Sequence, residues 1–550
     1  MRRLGRRLRG WGAERLTLNQ KLVASKLRHG EYDWQKRIFS KPVPSRVLAP
    51  ARGYDARRVV ADNLETVVDI LRVAGIESVV LPRVGVFNPI LVISETRIPN
   101  VVQALSQLSS EIGWTIHGTN FSGSERPLSN FAVRPDSLNR IRCRRHLVAA
   151  NGRELTTRFE DVVIEPWALL DADEERVDGE THIPGTLHRR ISKRGTLVEY
   201  LTPAVWQRAQ AEGGRLRLSH PHLYEVVEPI DIVYTWVDGD DPEWRQRKLA
   251  AEGNLDRSAV NETATIASRF TSRDELKYSL RSVEAYASWV NHIFIVTDGQ
   301  VPDWLDTDNP KITVVDHREI FSDTDALPVF NSHAIESQLH HIPGLNENYV
   351  YLNDDIVFLR PTDPSLFFTG SGQSKFFPST APLDFDPPTA RDLPVLSAAK
   401  RNRELILSDF GRVVTNKFKH TPHPQLRSVL MEMEAEHSDE FAAVARSTFR
   451  HPCDLSISSS LYHYYAYAKR RAIPDRIRYA YMDIAREDAE LYLRRLARRT
   501  DLDVLCLNDT NTDGSDQDRL DKMLRDFLAD RLPIPSSFEK TGIEQNERGE

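Results

Sequence analysis

Four apolar segments between residues 230 and 355 each end at an aspartate. They read DIVYTWVDG, HIFIVTDG, KITVVDH and YVYLNDD, and they reach Asp238, Asp298, Asp316 and Asp354. After the first of them, DELKYSLRSVEAYASWV places apolar residues at spacings of four, three, four and three, as on one face of a helix. Apolar strands that alternate with helices predict an α/β fold, with a mainly parallel sheet covered by helices on both faces.

The aspartates stand where a ligand would bind in such a sheet. Ligands of open α/β sheets lie beyond the carboxyl ends of the strands, and parallel neighbours bring those ends to one edge. A single Asp-Gly, as at Asp238 and Asp298, is equally typical of a plain turn. Four such endings in succession favour a binding site at this edge.

The segment Asn353-Asp354-Asp355 interrupts an apolar run that resumes as Ile-Val-Phe-Leu. Adjacent carboxylates there are costly to bury unless something binds them. Oxygen ligands favour hard cations such as Mg²⁺ or Mn²⁺, which in turn hold diphosphates. The alternative is an Asx-turn between two hairpin strands. Neither a Walker-type loop nor GxGxxG is present, so a bound nucleotide would depend on metal, arginines and stacking.

Length and composition predict two domains without nucleic-acid binding. The chain has 550 residues, a net charge of −6 and three cysteines that are far apart. We expect a basic tail or linker at 1–55, a smaller α/β domain at 56–225 and a larger α/β domain at 226–545, which carries the four aspartate-ended segments. The few cysteines and the absence of an apolar membrane span indicate a cytoplasmic protein. The arginine-rich start would either contact the inner face of a membrane or be a disordered tail.

Three further segments carry candidate ligands. KFKHTPHPQ presents His420 and His423 in a proline-restricted loop, and FRHP supplies Arg450, which suits phosphate. Both histidines could equally be ordinary loop residues. NDTNTDG places Asp509, Asn511 and Asp513 as in a calcium loop, but Leu520 stands where that loop needs Glu. A helix cap at Ser515 would explain the segment NDTNTDG equally well.

Several long motifs resemble the four conserved regions of the Stealth family. They include IDIVYTWVDGDDPEW, RFTSRDELKYSLRSVEAYASWVNHIFIVTDGQVPDWL, LPVFNSHAIESQLHHIPGL, YLNDDIVF, KFKHTPHP, FRHP, CLNDT and LPIPSSFEK, in this order. The family comprises bacterial capsule or exopolysaccharide phosphotransferases and the α/β subunits of animal GlcNAc-1-phosphotransferase. The resemblance runs from about 229 to 540 and assigns nothing to residues 1–225.

The resemblance implies a Rossmann-like fold, similar to that of nucleotide-sugar transferases, and a reaction in capsule or exopolysaccharide synthesis. A hexose-1-phosphate would pass from a nucleotide-diphosphate sugar, a UDP-sugar such as UDP-GlcNAc, to a hydroxyl of an acceptor glycan. The nucleoside monophosphate would leave, and a phosphodiester would form. A glycosyltransferase on the same scaffold, which would release a nucleoside diphosphate, is the alternative. A non-catalytic glycan- or calcium-binding protein is a second one, and the sequence leaves a homodimer open.

The same resemblance implies roles for individual residues. The acidic pair falls on Asp354 and Asp355, which would bind Mg²⁺ or Mn²⁺, with Asp355 also as the base. His420 and Arg450 would bind phosphoryl oxygens at the reacting centre, with His423 beside them. Animal members have Asn where this chain has Asp238 and Asp298, so these two would contact the donor by hydrogen bonds. We further expect the remaining donor contacts from Trp236, Gly239, Arg273 and Arg281, and Ca²⁺ at Asp509, Asn511 and Asp513.

Overall fold

The computed structural model describes residues 46–83, 85, 88–108, 113–170, 176–177, 180–191, 197–253, 255, 270–389, 391–509 and 517–541. Within residues 46–211 it contains twelve strands and three α-helices: β1 Val47–Leu48, α1 Ala56–Val73, β2 Val79–Val80, β3 Ile90–Ser94, α2 Ile98–Leu108, β4 Trp114–Asn120, β5 Glu125–Pro127, β6 Leu138–Arg145, β7 Leu147–Val148, β8 Val162–Leu169, β9 Arg176–Val177, β10 Glu180–Thr181, β11 Leu187–His188, β12 Tyr200–Leu201 and α3 Pro203–Ala211.

The N-terminal region is built on a mixed sheet with the strand order β12-β11-β8-β6-β4-β5, and β3 joins it by parallel pairing with β8. Helix α1 begins at the N-cap Asp55, whose carboxylate accepts a hydrogen bond from the Arg57 amide. Val60, Leu64, Val67 and Leu71 then form its buried stripe. Leu64, Val67 and Leu71 form, with α2 and the sheet, a hydrophobic cluster separate from the main core.

The structure shows two features of this region that the sequence does not indicate. Strand β8 is eight residues long and lies in the middle of the sheet, within a stretch that reads as charged and irregular. The predicted tail at 1–55 falls mainly outside the described residues, but its end is built into the fold. Val47 and Leu48 pair with Leu147 and Val148, and Tyr54 is buried in the main core.

The C-terminal region contains the other twelve strands and ten α-helices that the structure describes. They are β13 Ile230–Thr235, α4 Pro242–Glu252, α5 Glu275–Tyr286, β14 Ile293–Thr297, β15 Ile312–Asp316, α6 His317–Ile320, α7 Ser332–Glu336, β16 Asn348–Asn353, β17 Ile356–Phe358, β18 Ser374–Phe376, β19 Pro378–Pro382, α8 Pro394–Phe410, β20 Asn416–Phe418, β21 His423–Leu426, α9 Arg427–Glu436, α10 Ser438–Ala445, α11 Tyr462–Ala468, β22 Ala472–Pro474, β23 Tyr479–Asp483, α12 Ala489–Leu496, β24 Val504–Asn508 and α13 Gln517–Arg531.

The central sheet of this region has the order β15-β14-β13-β16-β21. The first four strands run parallel, and β21 pairs antiparallel with β16. This Rossmann-like order confirms the predicted α/β class and brings the carboxyl ends of four strands to one edge. β21 is an edge strand, which explains why Pro424, with no N–H to donate, is tolerated there.

Helix α5 supports the segment that follows the central strand β16. The Ser279 hydroxyl donates to the carbonyl of Ile356 at 2.5 Å, and the Ser282 hydroxyl accepts from the Phe358 amide at 2.9 Å. β17 is thereby held on α5, while it pairs antiparallel with β24. Within the described residues, no helix combines the length and apolar character needed to cross a bilayer.

Glu160 lies where the N-terminal region meets the main core, and its side chain is costly to ionise. The residue is 1% exposed, and one carboxylate oxygen accepts from the amide and hydroxyl of Thr157. The other oxygen has no partner among the described residues. Burial raises the pKa of Glu160 to about 7.

We therefore predict that Glu160 lowers stability as the pH rises. The folded-state pKa of Glu160 exceeds its unfolded-state pKa. The free energy that this difference adds to stability is therefore fully present below about pH 4.5 and is lost as the pH rises through about 7. Glu160→Gln should flatten this dependence and raise the melting temperature at pH 8, measured by circular dichroism between pH 5 and 8. Glu212→Gln, at an exposed position, is the control. Equal pH profiles for Glu160→Gln and the unsubstituted protein would contradict the prediction.

Candidate active site

Asp354 and Asp355 form a turn at the carboxyl end of β16. The strands on either side of this turn do not pair with each other: β16 pairs with β13 and β21, whereas β17 pairs with β24. The turn is therefore not the tip of a hairpin. The chain leaves the central sheet at this point, and the two residues connect it to β17 of the small β17-β24-β23 sheet.

A chain of polar contacts joins Asp355 to His420. The His420 Nδ1 lies 2.8 Å from the Cys506 Sγ, and the Cys506 thiol donates to the Asp355 Oδ2 at 3.3 Å. At the other side of the ring, the Asn353 side-chain amide lies 2.5 Å from Nε2. An Asn353 amide that donates to Nε2 leaves the ring proton on Nδ1, which then donates to Cys506. In each hydrogen bond of this series, the acceptor is therefore on the side nearer to Asp355. The His420 Nδ1 itself is 3.7 Å from the Asp355 Oδ2.

Asp354 lies in a concentration of negative charge. Burial raises the pKa of Asp354 well above its ordinary value, and the carboxylates of Glu275 and Asp355 raise it further. Burial likewise raises the pKa of Glu275, the first residue of α5, to about 7. The Oδ1 of Asp355 is buried without a partner among the described residues. Three neighbouring carboxyl groups with an unpartnered oxygen fit a divalent cation, which oxygen ligands hold well.

Arg450 belongs to the same edge of the sheet but not to the same contact network. Its Nη2 donates to the Ser332 hydroxyl at 2.7 Å, and its Nε is buried without an acceptor among the described residues. Burial lowers the pKa of Arg450, while Glu336 and then Tyr351 favour its charged form. Tyr351 is on β16, two residues before Asn353. Among the described residues, no hydrogen bond or ion pair joins Arg450 to the Asp355–His420 group.

The other strand-end aspartates have local partners. The Asp238 carboxylate accepts from the Asp240 amide at 2.9 Å. The Asp238 backbone amide donates to the side-chain oxygen of Gln300, and the side-chain nitrogen of Gln300 donates to the Asp238 carbonyl. Asp298 pairs with Arg247 at 2.9 Å. Asp316 caps α6 in a capping box with Glu319. Asp238 and Asp298 thus lie at the predicted edge, but each already has a structural role there.

Trp236 and Gly239 flank the end of β13. The indole of Trp236 is 9% exposed, and its backbone amide bonds to the Val296 carbonyl. A Cβ at Gly239 would overlap the carbonyl of Phe270, to which the Gly239 amide donates at 2.8 Å. Glycine is therefore required for close packing here, whether or not a donor lies against it.

Arg273 is held by acidic side chains. Its Nη2 lies 2.6 Å from Asp509 and its Nε 2.5 Å from Asp521 on α13, and it is 4% exposed. The proposed calcium loop therefore begins with a carboxylate that contacts an arginine. Asn511 and Asp513 lie outside the described residues.

Two predicted donor contacts are instead placed in the interior. Arg281 forms a buried two-pronged ion pair with Glu539, at 2.8 and 2.7 Å, and also donates to the Leu532 carbonyl. His423 is 3% exposed on β21, where its Nδ1 lies 3.0 Å from the Nε2 of His463. We therefore assign both side chains to the folded core and leave them out of the donor site.

Two members of the acidic site were not among the predicted ligands. Glu275 reads in sequence only as the polar start of a helix. Cys506 reads as one of three scattered cysteines, although it opens the motif CLNDT. The pairing of Ile356 with Cys506 brings the thiol beside Asp355, and only strand pairing could show this.

The fold and the site define an α/β protein with an acidic ligand site at the carboxyl edge of a parallel sheet. Models of the four conserved regions of the Stealth protein match residues 228–256, 269–376, 419–467 and 494–549. An exopolysaccharide phosphotransferase of Nocardia farcinica is 42% identical over 353 residues, which are 62% of this chain and 69% of that protein. The chain belongs to the Stealth family.

Other relatives carry the same name. Exopolysaccharide phosphotransferases SCO6023 and SCO2594 of Streptomyces coelicolor are 49% and 45% identical over 58% and 57% of this chain. The matches span about half the length of these relatives, 53% and 52%. Among solved structures, galactosyltransferase LgtC aligns with 53% of this chain and 94% of its own, at 11% identity and a TM-score of 0.27. A score that low carries no information about function.

The assignment of Arg281 to the core yields a stability prediction. Arg281→Ala would leave the buried Glu539 carboxylate without its cation, at a cost of about 3–5 kcal/mol in the free energy of unfolding. Arg281→Met combined with Glu539→Leu should cost much less, since no charge is stranded. Arg318→Ala, which removes an exposed partner of Asp316, is the control and should change little. Denaturant unfolding measures all three. A folded Arg281→Ala protein of normal stability with weakened donor binding would restore Arg281 to the donor site.

Proposed function

We propose that the protein is a sugar-phosphate transferase of polysaccharide synthesis. It would transfer a hexose-1-phosphate from a nucleotide-diphosphate sugar, with UDP-GlcNAc as the first donor to test, to a hydroxyl of an acceptor glycan. The observation that carries the proposal is the contact group of Asp355, His420 and Cys506 at the carboxyl edge of the parallel sheet. Membership of a family whose matched relatives are named exopolysaccharide phosphotransferases supports the reaction type.

In this proposal, the acceptor hydroxyl oxygen attacks the β-phosphorus in line with the bridging oxygen. The new phosphorus–oxygen bond forms as the bond to the bridging oxygen breaks, and the nucleoside monophosphate leaves with that oxygen. Asp355 accepts the hydroxyl proton, for which its unpartnered Oδ1 is suited. The Cys506 thiol and the His420 ring contact or approach its other oxygen and fix its orientation.

Arg450 would hold the equatorial phosphoryl oxygens, where negative charge is concentrated in the transition state. His420 would join it through Nε2 once that nitrogen is released from Asn353 and protonated. The Nε of Arg450 lacks an acceptor among the described residues, and a phosphoryl oxygen would satisfy it. Asp238 and Gly239 follow β13, the parallel neighbour of β16, and Asp298 follows β14, the next strand in the sheet, so they would border the nucleotide together with Trp236.

Asp354 and Asp355 would hold a divalent cation, Mg²⁺ or Mn²⁺, which when bound neutralises charge on the diphosphate. Burial raises the pKa of both Asp354 and Glu275, and the Asp355 carboxylate raises both further, as expected where a cation completes the site. A separate Ca²⁺ at Asp509 would have to share its carboxylate with Arg273. We propose residues 226–545 as the catalytic unit and 56–225 as an accessory unit for the acceptor or another partner.

The proposed base can be tested by nucleotide release. The full chain is incubated with a panel of nucleotide sugars, Mg²⁺ and acceptor glycan, and the released nucleotide is identified. Monophosphate is expected, whereas diphosphate would indicate glycosyl transfer instead. Asp355→Asn should lower kcat by about 10²- to 10⁴-fold. Asp308→Asn, an exposed position, is the matched control. Near-normal turnover by Asp355→Asn would rule out this base.

A second prediction concerns Arg450. Arg450→Lys keeps the charge but loses the planar array of donors, and we expect kcat to fall by about 10²-fold with a smaller change in KM. Arg446→Lys alters a largely exposed arginine that pairs with Asp323 and should leave both constants unchanged. If Arg450→Lys raised only KM, the guanidinium would bind the ground state and not the developing charge.

A further inference from the structure

A second group of ligand-type side chains lies away from the acidic site. His340 and His341 end a short 3₁₀ segment, Leu339–His341, and Glu434 is on α9. The Nε2 atoms of the two histidines lie 2.9 and 2.8 Å from the same oxygen, the Oε2 of Glu434. One ligand atom from each of the three residues falls within 4.8 Å of the others.

The hydrogen bonds around His341 determine where its lone pair points. Its Nδ1 lies 2.9 Å from the carbonyl oxygen of Ile320, and a carbonyl can only accept, so this nitrogen carries the proton. In the neutral ring, Nε2 is then a bare acceptor that faces a carboxylate oxygen. Two acceptors at 2.8 Å repel each other unless a positive charge lies between them. That charge is either an additional proton or a cation.

We propose that His340, His341 and Glu434 bind a divalent transition metal of the Zn²⁺ class. Two imidazoles and one carboxylate are a ligand set that Zn²⁺ accepts readily and that Mg²⁺ and Ca²⁺ do not favour. The backbone carbonyl on the Nδ1 of His341 is the kind of outer contact that orients a histidine ligand. His341 and Glu434 keep side-chain exposures of 18% and 25%, so an ion can enter and retain a water ligand.

The neighbouring charges are compatible with this site. Arg427 is the nearby cation, and its guanidinium is turned to backbone, donating to the carbonyls of His340 and Leu345. The His340 side chain is fully buried, and its Nδ1 has no partner among the described residues. The ring of His340 therefore offers only Nε2 to the shared centre.

The histidine–glutamate group lies too far from the acidic site to contact the substrate atoms that would react there. His340 and His341 precede β16, and Glu434 follows β21, which ends opposite Asn348. The group therefore lies at the amino end of β16, whereas Asp354 follows the carboxyl end of the same strand. β16 alone spans roughly 16 Å at ~3.3 Å per residue. A metal here would fasten the segment before β16 to α9, and so would act on the stability of the sheet that carries the acidic site.

The test uses the full chain stripped of metal with EDTA, with Zn²⁺ and Co²⁺ as probes. Zn²⁺ should raise the melting temperature of the unsubstituted protein and of His292→Gln, in which a histidine bonded to Thr313 is changed. The shift should be lost in His341→Gln and in Glu434→Gln, whose folding is checked by circular dichroism in EDTA. A Zn²⁺ shift that survives both substitutions would overturn the proposal.

Cobalt absorption separates this site from the one near Asp355. Co²⁺ at the histidine–glutamate group should give visible bands without thiolate charge transfer, and the bands should persist in Cys506→Ser. This measurement needs no change at His341 or Glu434, so it stands even if those variants fail to fold. Bands that vanish in Cys506→Ser would place the ion at the acidic site. Failure to bind either metal would assign the positive charge to a proton on His341.

Discussion

The placement of two adjacent, partly buried carboxylates, Asp354 and Asp355, at the end of a hydrophobic strand is the constraint on which the site depends. Both residues follow the end of β16, where desolvation and the nearby carboxylates of Glu275 and Asp355 oppose the ionisation of Asp354. The structure offsets this only in part: the backbone amides of Asp354 and Asp355 favour the ionised Asp354 carboxylate, and the Cys506 thiol donates to Asp355. A carboxylate pair left so poorly neutralised by the protein is best explained by a cationic ligand.

The arginines show how the chain divides its positive charge between structure and the proposed chemistry. Arg281 is neutralised by Glu539, and Arg273 is held by Asp509 and Asp521. These pairs join the start of α5 and its middle to the C-terminal segment, and thereby fix the helix on which β17 rests. Arg450 differs from both, since the hydrogen bond that its side chain makes to the described part of the chain goes to the uncharged Ser332 hydroxyl. It is therefore the arginine best placed to accept a new anionic partner.

The two edges of the parallel sheet carry different kinds of ligand group. The carboxyl edge holds carboxylates, one histidine and a thiol, whereas the opposite edge holds two histidines and one glutamate. Oxygen-rich and imidazole-rich sets select different cations. Strand β16 connects the two groups, so occupancy of one edge would bear on the rigidity of the other without any shared atom.

The sequence by itself determined the α/β class, the four strand ends and the helix at 275–286, because strand and helix periodicities are local patterns of apolar residues. It also indicated Asp354 and Asp355, since they interrupt an apolar run, whereas His420 stood out in a proline-restricted loop and took its role from the family resemblance. Tertiary structure decided which charges meet. Glu539 reaches Arg281 across 258 positions, and Cys506 reaches Asp355 across 151. Such pairings arise from strand register and helix packing, which no local spacing encodes, so the burial of Arg281 and His423 and the role of Cys506 became visible only in the folded chain.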